Sequence, residues 1–170
     1  MSRAPHKLAA DLAKDRSGVA LVEFAIMLPL LIILALGLSE IGRGVAHYHA
    51  IHKGVRDAAR FLARVPATCP TGAPTGSITD AGDVTRARNL AMTGNAAGGA
   101  WVVDYWNDPT TVSVAVTCFD NSAGTYRGKD AIPSVTVTAT VGYQDLGFLD
   151  VLGFDPITFG ISHQEMSIGE

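Results

Sequence analysis

The dominant feature of the sequence is a long apolar run near the N-terminus. No residue from position 24 to position 38 (FAIMLPLLIILALGL) carries a charge. Over the wider range 19–41, only Glu23, Ser39 and Glu40 are strongly polar. An apolar helix needs about 20 residues to cross the hydrocarbon core of a bilayer. We therefore predict a transmembrane segment at residues 19–41, with Glu23 as its unusual buried acid.

The helical pattern continues beyond the membrane segment to residue 65. Apolar residues recur there at intervals of three or four positions, as on one face of a helix, and Pro66 ends the pattern. Pro29 is expected to kink the helix inside the membrane. Small residues recur at every fourth position: Gly42, Ala46, Ala50, Gly54 and Ala58. Such a stripe allows close packing, either on a helix of another subunit or on the chain's own domain.

Residues 66–170 carry the patterns of one small domain. Residues 66–82 are rich in Pro, Gly, Thr and Ser and are predicted to form a loop, and a short helix capped by Asp80 or Asp83 follows to residue 93. Aromatic content or alternation predicts strands at residues 101–106, 111–119, 134–143 and 157–168. The predicted fold class is α+β: a long N-terminal helix, membrane-spanning in its first half, packs on a small domain with a short helix and a three- to four-stranded antiparallel sheet.

The charge before the apolar run predicts the orientation of the chain. Residues 1–18 have four basic and two acidic side chains, a net charge of +2. The positive-inside rule keeps this end in the cytoplasm and sends the domain across the membrane. The whole chain has a formal net charge of -3 and no basic patch with interleaved aromatic residues, so nucleic-acid binding is not predicted.

An ordinary signal peptide is the alternative for the N-terminal segment. Ala35, Leu36 and Gly37 offer a small-residue cleavage site, but the apolar run is longer than the 7–15 residues of a typical signal peptide. The two cysteines, Cys69 and Cys118, both follow the apolar run. On the exported side of a membrane such a pair predicts a disulfide, and the alternative is two buried free thiols.

The sequence gives little indication of metal binding or of catalysis. His47, His49 and His52 are close in sequence, but no nearby cysteine or carboxylate completes a zinc site, so no metal site is predicted. The spacing of Asp120, Asn121, Ser122 and Asp130 does not match a calcium-loop pattern, so a polar hairpin loop is predicted there. The sequence contains no nucleophile elbow, phosphate-binding loop or dinucleotide fingerprint. We therefore predict neither an enzyme nor a bound cofactor.

Two stretches carry a resemblance to a known family. GVALVEFAIMLPLLIILALGLSEIGR and the later AIHKGVRDAARFLAR resemble the TadE-like pseudopilins, or minor pilins, of tight-adherence (Tad/Flp) pili, which are related to type IV pili. The resemblance covers residues 18–64. It implies cleavage after Gly18 by a prepilin peptidase, which makes Val19 the methylated N-terminus. Glu23 and Phe24 then occupy the fifth and sixth mature positions, where related small pilins carry Tyr in place of Phe24.

The resemblance also implies a location and partners. The precursor would be a single-pass protein of the bacterial inner membrane, with a cleaved cytoplasmic leader (1–18), a transmembrane segment (19–41), a periplasmic continuation of the helix (42–65) and a periplasmic α+β domain (66–170). Its partners would be the prepilin peptidase, other pilins or pseudopilins and the inner-membrane assembly platform. The implied role is pilus assembly, surface adhesion and biofilm formation, as a minor component because the chain is much longer than main-shaft pilins.

The chemistry of Glu23 agrees with that role. A carboxylate inside a membrane helix is costly unless it has a partner. After cleavage the new amine of Val19 and Glu23 lie about one helical turn apart, so the amine of one subunit can pair with Glu23 of its neighbour. The alternative is a single-pass, membrane-anchored periplasmic structural or binding domain with no filament role, in which Glu23 is incidental.

Overall fold

The chain has an α+β fold, as the sequence predicts. The computed structural model describes residues 17–124, 130–151 and 153–168. The helices and strands follow in the order α1 (Ser17–Leu62), β1 (Ala67–Thr68), β2 (Thr75–Ile78), α2 (Ala81–Thr93), β3 (Val112–Asp120), β4 (Ala131–Gly142), α3 (Phe148–Val151) and β5 (Thr158–Met166). The chain forms two compact units, residues 1–41 and residues 42–170, and α1 contributes to both.

The second unit is built on one antiparallel sheet. Its five strands lie in sequence order, β1-β2-β3-β4-β5, which is more than the three or four predicted. β4 is the longest strand: it pairs with β3 from Val112↔Ala139 to Asp120↔Ala131 and with β5 from Ser134↔Met166 to Gly142↔Thr158. The alternation predicted for β4 is confirmed, because its odd-numbered residues from 135 to 141 are all buried.

Two segments differ from their predictions. The predicted loop 66–82 contains β1 and β2, which pair with each other and, through Thr75↔Thr117 and Gly76↔Val116, with β3. The prediction of a strand at residues 101–106 is wrong, because this segment forms a turn. In it Trp106 N donates to Val103 O at 2.9 Å, and both side chains are buried. Aromatic and β-branched residues indicate burial as well as strands, and here burial explains them.

Helix α1 ends three residues before its predicted end. Arg64 N and Val65 N donate to the carbonyls of Phe61 and Leu62, three residues back, so the chain tightens after Leu62. The residue before a proline is disfavoured in the α region, and Pro66 follows. The helix therefore unwinds before the proline rather than at it.

The core of the second unit lies between the sheet and the last part of α1. The helix contributes Ile51, Val55, Ala58, Ala59 and Leu62; α2 contributes Ala87, Ala91 and Met92; the sheet contributes Val112, Val116, Val135, Val137, Ala139, Val141 and Ile161. Trp106 completes this core and donates from Nε1 to Thr111 Oγ1 at 2.9 Å. The predicted packing of the long helix on the domain is thus confirmed for its last part.

α1 and α2 approach each other closely at Gly54. A Cβ atom at this position would lie 2.0 Å from the carbonyl oxygen of Ala91. Gly54 and Ala58 are buried within the domain, whereas Gly42 and Ala46 are exposed. The chain's own domain therefore accounts for the C-terminal end of the small-residue stripe.

We expect Gly54→Ala to destabilise the domain by about 1–3 kcal/mol, since overpacking of this kind usually costs that much. The clash is with a backbone atom, so Ala91→Gly should not rescue it. The alanine gains about 1 kcal/mol in helix propensity, which does not offset a contact of 2.0 Å. Urea titration of the full-length protein in detergent, followed by tryptophan fluorescence, measures the change.

Gly42→Ala is the matched control on the same helix. Its added Cβ would meet nothing within 4 Å, so its stability should stay equal or rise slightly. Equal urea midpoints for the two variants would contradict the close helix–helix approach at Gly54.

Candidate processing and assembly segment

The residues of the predicted processing site lie in the first turns of α1. The helix begins at Ser17, so Gly18, Val19, Glu23 and Phe24 are all helical. A Cβ at Gly18 would meet no atom within 4 Å, and Val19 and Phe24 are each more than half exposed. Val19 and Glu23 are four residues apart, which places them on the same face of a helix. The segment is therefore open to an enzyme or to a neighbouring helix.

Between residues 18 and 41, nearly all of the apolar side chains are exposed. One helix among the described residues is long and apolar enough to cross a membrane, with a mean hydropathy of 2.8 in its most apolar window and none of that window buried. Monomeric soluble proteins rarely expose a contiguous apolar surface of this size. The length and composition of the helix therefore indicate a membrane anchor.

Glu23 is the charged residue in the first part of this apolar helix. It is exposed, and in the part of the chain that the structure describes it forms no hydrogen bond or ion pair within the molecule. Pro29 lies inside α1, which continues on both sides of it, and the kink stays a prediction. A carboxylate inside a membrane helix is costly unless it has a partner, which makes Glu23 a candidate contact residue.

The two cysteines form a disulfide where the short strands β1 and β2 join the edge of β3. Cys69 follows β1 and Cys118 lies on β3, with a Cα–Cα distance of 5.9 Å. Cys118 N also donates to Pro74 O at 2.9 Å. The bond therefore attaches the short strands β1 and β2 to the long part of the sheet.

The three histidines that follow the membrane segment do not come together. His47 Nδ1 lies 3.0 Å from the hydroxyl oxygen of Tyr105, while the rings of His49 and His52 contact the Tyr48 ring. Within the described ranges, no group of three His, Cys, Asp or Glu side chains is arranged to hold a metal ion. These histidines therefore belong to an aromatic cluster.

That aromatic cluster is a feature that sequence reasoning missed. Tyr143, at the end of β4, has its ring centroid 6.0 Å from His47, 6.3 Å from Tyr105 and 5.4 Å from Phe159. Arg43 lies over the Tyr143 ring, with Cζ 5.4 Å from the centroid. In the sequence these are scattered aromatic residues, and they become neighbours because the long helix, the 101–106 turn and the ends of β4 and β5 pack together.

Three carboxylates outside the apolar segment have lowered pKa values. The hydroxyl and backbone N–H of Thr110 lower the pKa of Asp108, and the backbone N–H and hydroxyl of Ser122 lower that of Asp120. The hydrogen bond from His163, 2.9 Å away, lowers the pKa of Glu165, and Arg60 adds to this effect. In each case the ionised form is the one that the fold stabilises.

We expect the domain to lose stability in acid. Because these folded-state pKa values are depressed, their stabilising contribution is present above the unfolded pKa of about 4 and is lost as the pH falls through the folded values. The urea midpoint should therefore fall as the pH drops below about 5. Glu165→Gln should flatten part of that fall, and an unchanged pH profile in this variant would argue against the assignment.

The comparisons with known proteins point to one family. Residues 18–60 match the family model described as TadE-like protein. No curated protein and no solved structure matches the chain. The match is to a structural, non-enzymatic pilin family of Tad pili, and with the apolar helix it indicates a membrane-anchored, pilus-associated protein. The resemblance is thus confirmed on the long helix, and the chain carries the TadE-like segment at residues 18–60.

Proposed function

We propose that the chain is the precursor of a minor pilin or pseudopilin that a prepilin peptidase cuts after Gly18. The mature chain, starting at Val19, takes part in assembling a Tad-type pilus and so in surface adhesion and biofilm formation. It is inserted in the inner membrane with residues 1–18 in the cytoplasm and the domain in the periplasm. Its partners are the peptidase, other pilins and the assembly platform.

One observation carries the proposal. The TadE-like match begins at Gly18, and Glu23, the charged residue within the apolar run that follows, is the fifth residue after it. A carboxylate in a membrane segment is costly unless it has a partner, so it is a functional candidate by default. Cleavage after Gly18 supplies that task, because it creates an amine one helical turn away.

The surroundings of the bond support its accessibility. Gly18 has no side chain, which lets its backbone approach the catalytic groups of an enzyme closely. Nothing within the described chain lies within 4 Å of the position a Cβ would take there. The net charge of +2 on residues 1–18 holds this end on the cytoplasmic side.

The mature N-terminus, determined by mass spectrometry of the protein purified from its native membranes, tests the proposal. We expect a chain that starts at Val19, with or without a methyl group, and whose formal net charge is -5, because the leader removes +2 from -3. An intact Met1 supports the anchored domain without a filament role. A start at Leu38 means cleavage by signal peptidase, and either result overturns the proposal.

Gly18→Val gives the matched test of the cut site. The branched side chain hinders close approach to the backbone, so we expect the precursor to keep its leader while still inserting in the membrane. Gly42→Val, at another exposed position with open space around it, should be processed normally. Equal processing of the two variants would place the cut elsewhere.

A further inference from the structure

Strand β5 leaves one edge of the sheet open. It is the last strand in the order β1-β2-β3-β4-β5 and spans nine residues. Natural sheets usually protect such an edge with charged side chains, prolines, bulges or a very short strand. β5 contains no lysine, arginine or proline, and its pairing with β4 is unbroken from Thr158 to Met166. The edge is therefore a template on which another strand can pair.

The register shows which backbone groups lie on the open edge. Tyr143 N donates to Ile157 O at 2.7 Å, and Ser167 N donates to Pro133 O at 2.8 Å. Bonding alternates along an antiparallel pair, so odd-numbered residues of β5 bond to β4 and even-numbered ones point their N–H and C=O groups away from it. Within the described ranges, four exposed residues have backbone groups of this kind with no hydrogen bond: Thr158, Gly160, Ser162 and Gln164.

The side chains of these four residues make the outer side of the edge uncharged. Successive side chains of a strand point to opposite faces, and the buried Ile161 marks the core face. On the other face, Gly160, Ser162 and Gln164 pair with threonines of β4. An added strand would therefore meet only hydroxyl and amide groups on this face, which suits uncharged side chains.

A flank of α1 runs beside the open edge on the core face. This flank consists of Tyr48, His52 and Arg56, which follow at intervals of four residues and so lie along one side of the helix. The Tyr48 ring lies 5.8 Å from the ring of Phe159 on β5. Ala63 O, seven residues beyond Arg56 on the same side, accepts from Ile168 N at 2.7 Å. Every second side chain of an added strand would therefore point toward this flank.

Arg56 gives the flank an unmatched positive charge. Lys53 pairs with Asp57 at 2.9 Å, and Arg60 lies 3.6 Å from Glu165. Arg56 is half-buried, and in the part of the chain that the structure describes its buried Nε has no hydrogen-bond partner and its guanidinium forms no ion pair. A carboxylate is the partner that a guanidinium binds most strongly, so an acidic side chain on the added strand would complete the flank.

We propose that an extended segment of another protein pairs with the open edge of β5 and continues the sheet, with uncharged side chains on the outer face and a carboxylate toward Arg56. In this mode the main-chain hydrogen bonds give affinity and the alternate side chains give specificity. A second copy of β5 does not supply the carboxylate, because its Glu165 is already held by Arg60. The proposal is independent of cleavage after Gly18.

Hydrogen exchange of the full-length protein in detergent, followed by NMR, tests the pairing. The probe is the end-blocked peptide Thr-Val-Thr-Glu-Thr-Val-Thr, which is long enough to cover residues 158–164 and carries its glutamate on the core face. We expect it to slow exchange at the amides of residues 158, 160, 162 and 164, while the amides between them, already bonded to β4, stay unchanged. The same peptide with N-methyl groups on its third and fifth residues lacks the donors for pairing and should have no effect.

The affinity of the labelled peptide, measured by fluorescence anisotropy, tests the carboxylate. Arg56→Gln should weaken binding several-fold, to the affinity of a peptide with glutamine in place of its glutamate. Lys53→Gln is the matched control: it removes the same charge from the same helix, but this lysine already pairs with Asp57, so binding should be nearly unchanged. Equal weakening by the two variants would overturn the role of Arg56.

Two results would overturn the pairing itself. One is that the peptide fails to bind or protects a different set of amides. The other is protection of the four even-numbered amides in the protein alone that disappears on dilution, because a second copy of the chain would then occupy the edge.

Discussion

Replacing both Cys69 and Cys118 by serine is expected to lower the free energy of unfolding of the domain by about 4 kcal/mol. The bond joins positions 49 residues apart, and closing a loop of that length in the unfolded chain gives a value of this size in the chain-entropy model. Typical domains have only about 5–15 kcal/mol in total. The double variant should therefore be close to the limit of folding at physiological temperature.

The loss should be greatest at one edge of the sheet. β1 and β2 pair through two residue pairs, and β2 and β3 through two more, whereas β3 and β4 pair along the full length of β3. Strands held by so few hydrogen bonds open locally once the covalent link is gone. Hydrogen exchange at residues 75–78 should accelerate strongly, while the centre of β4 should follow only the global change.

Urea titration of the full-length protein in detergent measures the global effect. The native chain treated with reductant should match the Cys69→Ser/Cys118→Ser variant, and the reductant should have no effect on that variant. An unchanged midpoint in the double variant would show that native packing alone holds this edge. Gly72→Ala, at a left-handed turn beside the same bond (φ 74°), changes the local backbone without removing the link and should cost less.

The sequence predicts the local features of this fold well because they depend on neighbouring residues. A few neighbouring residues are enough to predict the alternation that defines β3 and β4. The same holds for the short helix α2 and its N-cap at Asp80, whose side chain accepts from Gly82 N. The presence of two cysteines likewise predicts the disulfide, although not its geometry. Each of these features has a period, a cap or a pairing rule of its own.

The features that sequence reasoning misses depend on distant residues. β1 and β2 lie in a segment rich in Pro, Gly, Thr and Ser, and they are strands because β3 offers an edge and the disulfide holds them there. The segment 101–106 has strand-like composition but fills the core with Val103 and Trp106. Long-range contacts override local preference in both cases: strand pairing for β1 and β2, and burial in the core for residues 101–106.

The candidate site likewise has features that the sequence predicts and features that it does not. Gly18 and Glu23 are visible in the sequence because their significance lies in spacing along one helix. Arg43 contacts Tyr143 and Gln144, which are about a hundred residues away in the sequence; the hydrogen bond to Gln144 joins residues 101 positions apart. No local sequence pattern predicts this contact.

Glu23→Ala is expected to leave membrane insertion and cleavage intact while reducing assembly into pili on the order of 100-fold. Once subunits meet, the variant leaves the amine of Val19 without its acid in an apolar environment, and an unpaired buried charge costs about 3 kcal/mol or more. A difference of 1.4 kcal/mol is a factor of about ten in an equilibrium. Immunoblots of the sheared pilus fraction and of the membrane fraction measure assembly and insertion separately.

Two conservative variants separate charge from shape at this position. Glu23→Gln keeps the size and hydrogen-bonding capacity of the side chain but removes its charge, so it should assemble nearly as poorly as Glu23→Ala. Glu23→Asp keeps the charge on a shorter side chain and should retain part of the assembly into pili, since the helix N-terminus favours either acid. Normal assembly by Glu23→Gln would mean that no ion pair forms, and normal assembly by all three variants would make Glu23 incidental, as in a plain membrane anchor.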